Sequence, residues 1–528
     1  MKHGFLLLLL AAPGFSQQIQ ADHIRADTKF LSSDLLEGRG VGVRGGDLAT
    51  EYIATQLELA GAKPAGDNGT YFQKVPLVGS ETQPDSQLSA VVKGKTVSFQ
   101  WASQFVGTTR RQKPDVEFDA DAVFVGHGIT APEYKWDDYK GVDVRGKVLV
   151  LFTNEPPSTD PKFFGGRALT YYGRWTYKYE EALRKGAVAA LIIHTTPTAG
   201  YGWDVVKSSW GREDPQVKLN AGEQSLALAG WLTEQAAGSL LASTGQTVAG
   251  LLKMADSADF KPMPLGIRFR GRVHSKVREV ETRNVVGIIA GSDPKLKDEA
   301  VVFSAHWDHL GIGDPVNGDR IYNGAVDNAT GCAILLDIAR AWGALPQKPR
   351  RSAIFLSVTA EEGGLRGSEY YGLHPTFPAG RMALNLNFDA FEPFGRTKDV
   401  TVTGAERTTV WPTVQAVAKR FNYEIKPDPR PEQGSYFRSD HFSMARVGIP
   451  AFSIHQGDRY WGKPDDYGQK MFEEFNSKHY HQPSDEYHDN WDFSGMEQIA
   501  KFGFALGMDV ANHPKLPDWA PGDQFKRQ

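Results

Sequence analysis

The sequence predicts an α/β fold whose central sheet is mostly parallel and flanked by helices, with an inserted β-rich domain. From about residue 271, short apolar runs bounded by turn residues indicate buried parallel strands, with helical patterns among them. Three of these runs are followed directly by potential metal ligands. A separate block of short strands and glycine turns, residues 116–265, precedes this half of the chain.

Length and composition restrict the class of protein. With 528 residues the chain exceeds one ordinary core, so we expect two or three domains. A hydrophobic fraction of 41% and a charged fraction of 23% are typical of globular proteins. The net charge of −4 offers no basic field, so we expect no nucleic-acid partner. The single cysteine, Cys332, excludes an intrachain disulfide and a cysteine-based zinc site.

The N-terminus resembles a secretory signal. Met-Lys-His-Gly is followed by the apolar run Phe5–Ala12 and by small residues before a cut after about Ser16. This run is too short to span a bilayer, which requires ~20 residues. No cysteine follows it for a bacterial lipid anchor. We therefore assign residues 1–16 to a signal peptide and expect a secreted or periplasmic protein without a stable membrane anchor.

Residues 17–115 are expected to form the first part of the main domain. The pattern predicts a helix from Asp22 to Leu36, a second helix Leu48–Ala60 capped by Asp47, and strands Leu88–Val92 and Thr96–Trp101. The glycine- and arginine-rich loop EGRGVGVRGG lies between the helices. Because a helix rather than a strand precedes it, we do not interpret this loop as a phosphate-binding loop.

Residues 116–265 are expected to form the inserted β-rich domain, and they contain no cluster of potential ligands. The predicted elements are strands Ala122–Val125, Lys147–Phe152 and Gly186–Ile193 and a helix Tyr177–Lys185.

Residues 266–528 complete the main domain with alternating strands and helices. The predicted strands are Asn284–Ile289, Val301–Ala305, Ala353–Thr359, Ala383–Phe388, Val400–Thr403 and Ala451–Ile454. The predicted helices are Asn328–Trp342, Thr409–Phe421 and Gly495–Ala511, and Gln456–Glu486 is predicted to be a long loop.

Metal-binding side chains follow three of these strands. His306 follows the first, Glu361 and Glu362 follow the second, and Asp389 follows the third. Ligands of open α/β sheets bind beyond the carboxyl ends of the strands, so these side chains should meet at one rim. Asp327 precedes a helix and is placed to face the same rim. Imidazole and carboxylate groups that converge are what a zinc site requires.

The number of candidates favours two metal ions. A catalytic zinc commonly takes three protein ligands, so five ligands suit two ions if one carboxylate bridges them. Glu361 and Glu362 point in different directions, so one can ligate while the other acts as general base. Asp308 is placed to accept the second N–H of His306. His481 is a further candidate, although from the residues alone it competes with His441, His455, His479 and His488.

Six segments closely resemble the zinc exopeptidase family of bacterial leucyl aminopeptidase and glutamate carboxypeptidase. They are HWDHLG, NGAVDNATG, TAEEGGLRGS, NLNFDA, RSDHFSMARVGIPA and HYHQPSDEY. The segment LSSDLLEGRG with YIATQLELAGAKPAGDNGTYFQ is also similar to that family. VFVGHGITAPEYKWDDYKGVDVRGKVLVLF resembles the protease-associated domain that is often inserted in it.

The resemblance implies two zinc ions and a role for each site residue. His306, Asp327 and Asp389 would hold one zinc, and Asp327, Glu362 and His481 the other, with Asp327 bridging. Glu361 would be the general base and Asp308 would orient His306. The family also implies a cis peptide between Asp327 and Asn328. The implied activity is hydrolysis of the N-terminal peptide bond of peptides by a metal-bridging hydroxide.

Other activities of this family stay open. A carboxypeptidase or dipeptidase needs a cation for the terminal carboxylate, and Arg438 is a candidate. Glutaminyl cyclases resemble this fold but use one zinc, and receptor-like relatives keep the fold without metals. The complete ligand set favours a peptidase, and we expect an aminopeptidase.

Overall fold

Residues 19–527 are described in the structure, which is a computed structural model, and the predicted signal peptide lies outside them. The described chain divides into two units. The first contains the chain up to Val75, Glu281–Asp428 and the chain from Ser439. The second contains Pro76–Val280 and Pro429–Arg438.

The first unit is built on a mostly parallel sheet, as predicted. Its central strands are β1 (Ala300–His306), β2 (Ser352–Val358), β3 (Met382–Asn387) and β4 (Ala451–Ser453), in the order β4-β3-β1-β2. All three neighbouring pairs are parallel. Every residue of these four strands is buried, so β1 and β2 are mostly apolar, while β3 also contains the buried polar residues Asn385 and Asn387. Beyond β2 the sheet continues with an antiparallel strand, Val285–Ile289.

Helices cover this sheet and complete the core of the first unit. The helix α1 (Thr330–Gly343) connects β1 to β2 and is buried along most of its length. The other helices of the unit are Ala21–Leu31, Arg44–Leu59, Arg366–Leu373, Trp411–Arg420, His441–Arg446, Tyr467–Lys478 and Ser494–Asn512. Its small strands are Lys63–Pro64, Gly311–Val316, Asp319–Tyr322, Asp399–Thr401, Glu424–Lys426 and His455–Gln456. Within residues 19–527, no helix combines the length and the apolar character that crossing a membrane requires.

The second unit has its own sheet and its own core. Four parallel strands, Asp115–Phe124, Val148–Phe152, Ala189–His194 and Leu228–Thr233, form its centre, and antiparallel strands extend it on both sides. The outer strands are Gln87–Val92, Lys95–Phe99, Phe105–Thr108 and the first part of Met263–Ile289. Its other strands are Phe72–Thr82, Thr130–Ala131, Trp136–Asp137 and Asp214–Val217. Its helices are Trp175–Arg184, Thr196–Ala199, Trp203–Trp210, Glu234–Ala242 and Val248–Ala255.

This second unit is longer than the predicted insert of residues 116–265. Strand Gln87–Val92, which the sequence places in the main domain, pairs with residues 267–272 of the strand Met263–Ile289. That pairing joins residues far apart in sequence, so no local pattern marks the boundary. Whether this unit is a protease-associated domain stays a prediction.

Several local predictions differ from the structure. The first helix ends at Leu31, and the second begins at Arg44, so Asp47 lies in its first turn instead of capping it. The predicted loop Gln456–Glu486 contains the helix Tyr467–Lys478. In that helix Gly468 is the one buried residue, so the apolar stripe that usually identifies a helix is weak.

Arg39, in the glycine- and arginine-rich loop, is almost completely buried in the first unit and links separate segments by hydrogen bonds. Its guanidinium donates to four carbonyl oxygens, those of Leu31 at 2.6 Å, Trp307 at 2.7 Å, Asn323 at 2.6 Å and Gly324 at 2.8 Å. Trp307 follows β1, whereas Asn323 and Gly324 precede Asp327. One side chain therefore ties together the two segments that carry His306 and Asp327.

Replacing Arg39 by methionine should destabilise the first unit by about 3–5 kcal/mol, because buried carbonyl oxygens lose their donor. Hydrogen exchange of the β1 amides in the metal-free protein measures this change. Arg44 of the same loop is a matched control, since it is exposed and lies 3.5 Å from Glu37. We expect Arg44→Met to change stability by less than ~0.5 kcal/mol. Equal hydrogen exchange of the β1 amides in both variants would show that Arg39 does not stabilise the first unit in this way.

Candidate metal centre

The predicted ligands meet at the carboxyl ends of three adjacent strands. His306 is the last residue of β1, Glu361 and Glu362 follow β2, and Asp389 follows β3. Because β1 lies between β2 and β3 and is parallel to both, the three ends lie side by side.

A first group of candidate ligands surrounds His306. Its Nε2 atom lies 3.2 Å from Oδ1 of Asp327 and 3.2 Å from Oδ1 of Asp389. The ligand atoms of these three residues all lie within 4.8 Å of one another. Ser439 donates from its hydroxyl to the other oxygen of Asp389 at 2.5 Å, which leaves Oδ1 directed toward His306.

A second group of candidate ligands surrounds Glu362. The Nε2 atom of His481 lies 3.0 Å from Oε2 of Glu362 and 3.4 Å from Oδ2 of Asp327. Of the five histidines that the residues alone left open, His481 has these contacts, whereas His479 contacts the Ser484 hydroxyl instead. The two oxygens of Asp327 therefore face different groups, Oδ1 toward His306 and Oδ2 toward His481.

Backbone contacts hold Asp327 in this shared position. The carboxylate of Asp485 accepts from the backbone N–H of Val326 at 2.9 Å and of Asp327 at 3.1 Å. The peptide between Asp327 and Asn328 is cis, as the family resemblance implies. The amide of Asn328 donates to the carbonyl of Phe388 at 3.0 Å, one residue before Asp389.

The donor set fits a metal cation at both groups. The Nδ1–H of His306 donates to the backbone carbonyl of Asp308 at 3.1 Å, so in the neutral ring the lone pair of Nε2 faces two carboxylate oxygens. The lone pair and the carboxylate oxygens repel one another unless a positive charge lies between them. Two atoms bound to one tetrahedral zinc, each at ~2.0–2.1 Å, lie about 3.4 Å apart. The separations of 3.0–3.4 Å in the two groups are close to that value.

The pKa shifts also reflect a strongly negative site. Burial opposes protonation of His306, but Asp389 and Glu361 outweigh it and raise the pKa of the imidazole well above its ordinary value. Burial likewise opposes protonation of His481, yet Glu362 and Asp327 raise its pKa to about 10. The carboxylates therefore attract positive charge to the positions of both rings.

Glu361 lies beside the two groups without belonging to either. Burial raises the pKa of its carboxyl well above the ordinary value, and the charges of Asp389 and Glu362 add to this effect while His306 opposes it. Its backbone N–H donates to Oδ1 of Asp308 at 3.1 Å. Glu361 is thus held at the rim as a carboxyl group with a raised proton affinity.

Asp308 occupies a different position from the one expected. We expected its carboxylate to accept from His306, but Nδ1 of His306 lies 3.8 Å from Oδ1 and bonds the backbone carbonyl of Asp308 instead. The carboxylate turns toward the backbone of Glu361. Asp308 therefore contacts His306 through its main chain and Glu361 through its side chain.

Three residues of the site were not assigned from the sequence. His309 is buried and its Nδ1 atom lies 2.5 Å from Oε1 of Glu362. Asp440 and Asp485 are buried carboxylates, and burial raises their pKa values to about 7 and about 6. All three lie within the motifs that carry the family resemblance, HWDHLG, RSDHFSMARVGIPA and HYHQPSDEY, which is the signal that points to them.

Arg438 lies in the second unit and is exposed. Within the described part of the chain, neither Arg438 nor the nearby Arg174 forms an ion pair with a carboxylate. Burial and then the charge of Arg438 lower the pKa of Arg174 to about 10. The two guanidinium groups therefore form a small positive region of the second unit.

Comparison with known proteins shows similarity over part of the chain. Residues 284–504 match the model of peptidase family M28. An aminopeptidase from Aneurinibacillus sp. strain AM-1 has a similar structure, with a TM-score of 0.54 and 19% identity over 96% of this chain and 98% of that chain. This similarity shows a shared fold.

Two curated relatives match a shorter part of the chain. Aminopeptidase NAALADL1 of Mus musculus is 38% identical over 110 residues, which are 20% of this chain and 13% of that protein. The glutamate carboxypeptidase 2 homolog of Caenorhabditis elegans is 34% identical over 125 residues, 23% of this chain and 14% of that protein. The chain thus spans about one seventh of the length of the curated relatives it matches. The family match, the fold and the metal-binding side chains at the rim of the sheet make residues 284–504 of this chain similar to peptidase family M28.

Proposed function

We propose that this protein is an exported metallo-exopeptidase that uses two zinc ions to remove N-terminal residues from peptides. One observation carries the proposal: the carboxylate of Asp327 is shared between two groups of metal-binding side chains, and Glu361 lies beside them. We also propose that the second unit is a protease-associated domain.

The residues present fit two ions. His306, Asp327 and Asp389 would hold one ion, and Asp327, Glu362 and His481 the other. Zinc is favoured because the donors are imidazole nitrogens and carboxylate oxygens. When bound, such a pair lowers the pKa of water and polarises the scissile carbonyl group.

Glu361 is the proposed general base. A carboxyl group with a raised pKa accepts a proton from the attacking water more readily than an ordinary carboxylate and then returns it to the leaving amine. The bond from the backbone N–H of Glu361 to Asp308 keeps this residue at the rim. In this proposal Glu361 transfers the proton and Glu362 would bind the metal ion.

The charge of the rim supports an N-terminal specificity. The buried carboxyl groups Asp308, Asp440 and Asp485 lie in the same region as the ligands and contribute a negative potential when they are ionised, above their raised pKa values of about 6 to 7. An α-ammonium group is attracted to such a potential, whereas a terminal carboxylate is repelled. Similarity to proteins named as aminopeptidases agrees with this assignment.

A carboxypeptidase is the second candidate. Arg438 and Arg174 carry positive charges without a carboxylate partner in the described chain, and a guanidinium is suited to a terminal carboxylate. The similarity to a glutamate carboxypeptidase homolog supports this second candidate. A receptor-like relative without catalysis is disfavoured because the ligands and Glu361 are all present.

Glu361→Gln should retain both metal ions and lose catalysis by a factor of ~10²–10⁴, because the amide cannot accept the proton. Asp327→Ala should lose metal and stability, because both groups lose a ligand. Metal content by mass spectrometry and kcat on aminoacyl substrates measure both effects. The exposed Glu486→Gln is the control and should behave as the wild type. Full activity of Glu361→Gln would refute the role of base.

Removal of metal should lower the melting temperature of the full chain. Ions that bind only the folded state stabilise it by about 2.7 kcal/mol when present at 100 times their dissociation constant. Melting curves with and without a chelator measure this shift, and zinc is then added back to the apoprotein. Saturation at two ions per chain is the expected result. Saturation at one ion would contradict the pair.

A pool of peptides with free and with acetylated N-termini distinguishes the two exopeptidase candidates. We expect the protein to shorten only the free-amine peptides from the N-terminus, as measured by mass spectrometry, while Glu361→Gln leaves the pool intact. Loss of residues from the C-terminus would favour the carboxypeptidase and a role for Arg438.

A further inference from the structure

His309 is a buried histidine whose position is closely fixed. Its backbone N–H donates to the carbonyl of Arg39 at 3.3 Å, and its side chain is not accessible to solvent. Its ring packs against Gly324, which has φ +58°, and a Cβ atom at Gly324 would lie 2.4 Å from Cγ of the ring. The space next to His309 therefore requires glycine at position 324, and the ring has little freedom to turn.

The fixed ring contacts one oxygen of Glu362. Nδ1 of His309 lies 2.5 Å from Oε1 of Glu362, and because a carboxylate oxygen accepts, the ring nitrogen is the donor. The other oxygen, Oε2, lies 3.0 Å from Nε2 of His481. The two oxygens of Glu362 are thus directed to two different imidazoles.

The distances separate a positioning role from a ligand role for His309. Together with Asp327 and Glu362, His309 has ligand atoms that all lie within 4.8 Å of one another, which is compatible with a metal ligand. Two ligands of one tetrahedral zinc lie about 3.4 Å apart, given bonds of ~2.0–2.1 Å. The 2.5 Å between Nδ1 and Oε1 is too short for that arrangement but suits a charge-assisted hydrogen bond.

We propose that His309 is a positioning residue that occupies Oε1 of Glu362, so that Glu362 offers only Oε2 to the second metal ion. The inference rests on the metal pair of the proposed function and deepens it. A single-oxygen ligand gives the second ion one protein bond fewer than a two-oxygen ligand. A coordination position is thereby kept for the substrate.

Two variants with matched amides test this role. The shorter amide introduced by His309→Asn places its N–H near the position of Nδ1 and still reaches Oε1, whereas the longer amide introduced by His309→Gln lies near the position of Nε2. Zinc affinity of each full-length protein is measured by competition with a chromogenic chelator, and the number of bound ions by mass spectrometry. Neither measurement depends on hydrolysis.

We expect His309→Gln to weaken the second ion by about 10- to 100-fold while His309→Asn stays within about 3-fold of the wild type, as for a group that orients a ligand. The first ion should bind equally in all proteins. The exposed His374→Ala is the control for loss of a histidine, and melting curves of the metal-free proteins verify folding.

Other results would overturn the inference. An equal loss in His309→Asn and His309→Gln would make His309 a direct ligand, and wild-type binding in both would give it no role at the metal. If the wild type itself bound no second ion, the proposed function would fail instead, so the two failures are distinguishable.

Discussion

Repulsion among acidic side chains governs how the metal centre and its surroundings are built. Four buried carboxyl groups lie in the region where Glu361, Glu362 and Asp389 follow the strands. They are those of Asp308, Asp327, Asp440 and Asp485. Carboxylates of like charge at short separation do not remain ionised together unless positive charge or hydrogen-bond donors compensate. Here the compensation comes from His306, His309 and His481, from backbone N–H groups and from the ions that the donor set fits.

The scaffold holds this unfavourable arrangement in place. Parallel strands buried on both faces end at fixed positions, because a shift by one residue would exchange the side chains of the two faces along the whole strand. Arg39 adds a second restraint, since its guanidinium binds carbonyl oxygens on both sides of the centre. Its burial lowers its own pKa, although Asp485, Asp308 and Asp327 oppose that shift. The buried guanidinium is thus stabilised by the same carboxylates that it helps to arrange.

Some buried carboxylates position neighbouring acidic residues because they accept hydrogen bonds from the backbone N–H groups of those segments. Asp485 accepts from the N–H groups of Val326 and Asp327, and Asp308 accepts from that of Glu361. Each bond fixes a segment and not a side chain alone. In the same way His309 restrains Glu362, so the proposed catalytic groups are held by neighbours that do not react themselves.

The local pattern of the sequence determined most of the first unit. Continuous apolar runs specified the central strands within one or two residues, because strands buried on both faces contain few polar positions. The ligands that follow these strands were predictable for the same reason, since parallel strands end at one edge. The helix Tyr467–Lys478 was missed, because a mostly exposed helix lacks an apolar stripe.

Contacts between individual side chains became visible only in the folded chain. His309 next to Glu362, Asp485 beneath Asp327, and the turn of Asp308 toward Glu361 join residues that are distant in sequence or whose side-chain directions no periodicity specifies. The extent of the second unit could not be predicted for the same reason, because the strand Gln87–Val92 pairs with residues far along the chain. Local sequence pattern was enough to predict the central strands and the types of side chain at their ends. The choice of partner depended on packing between segments that become neighbours only in the folded chain.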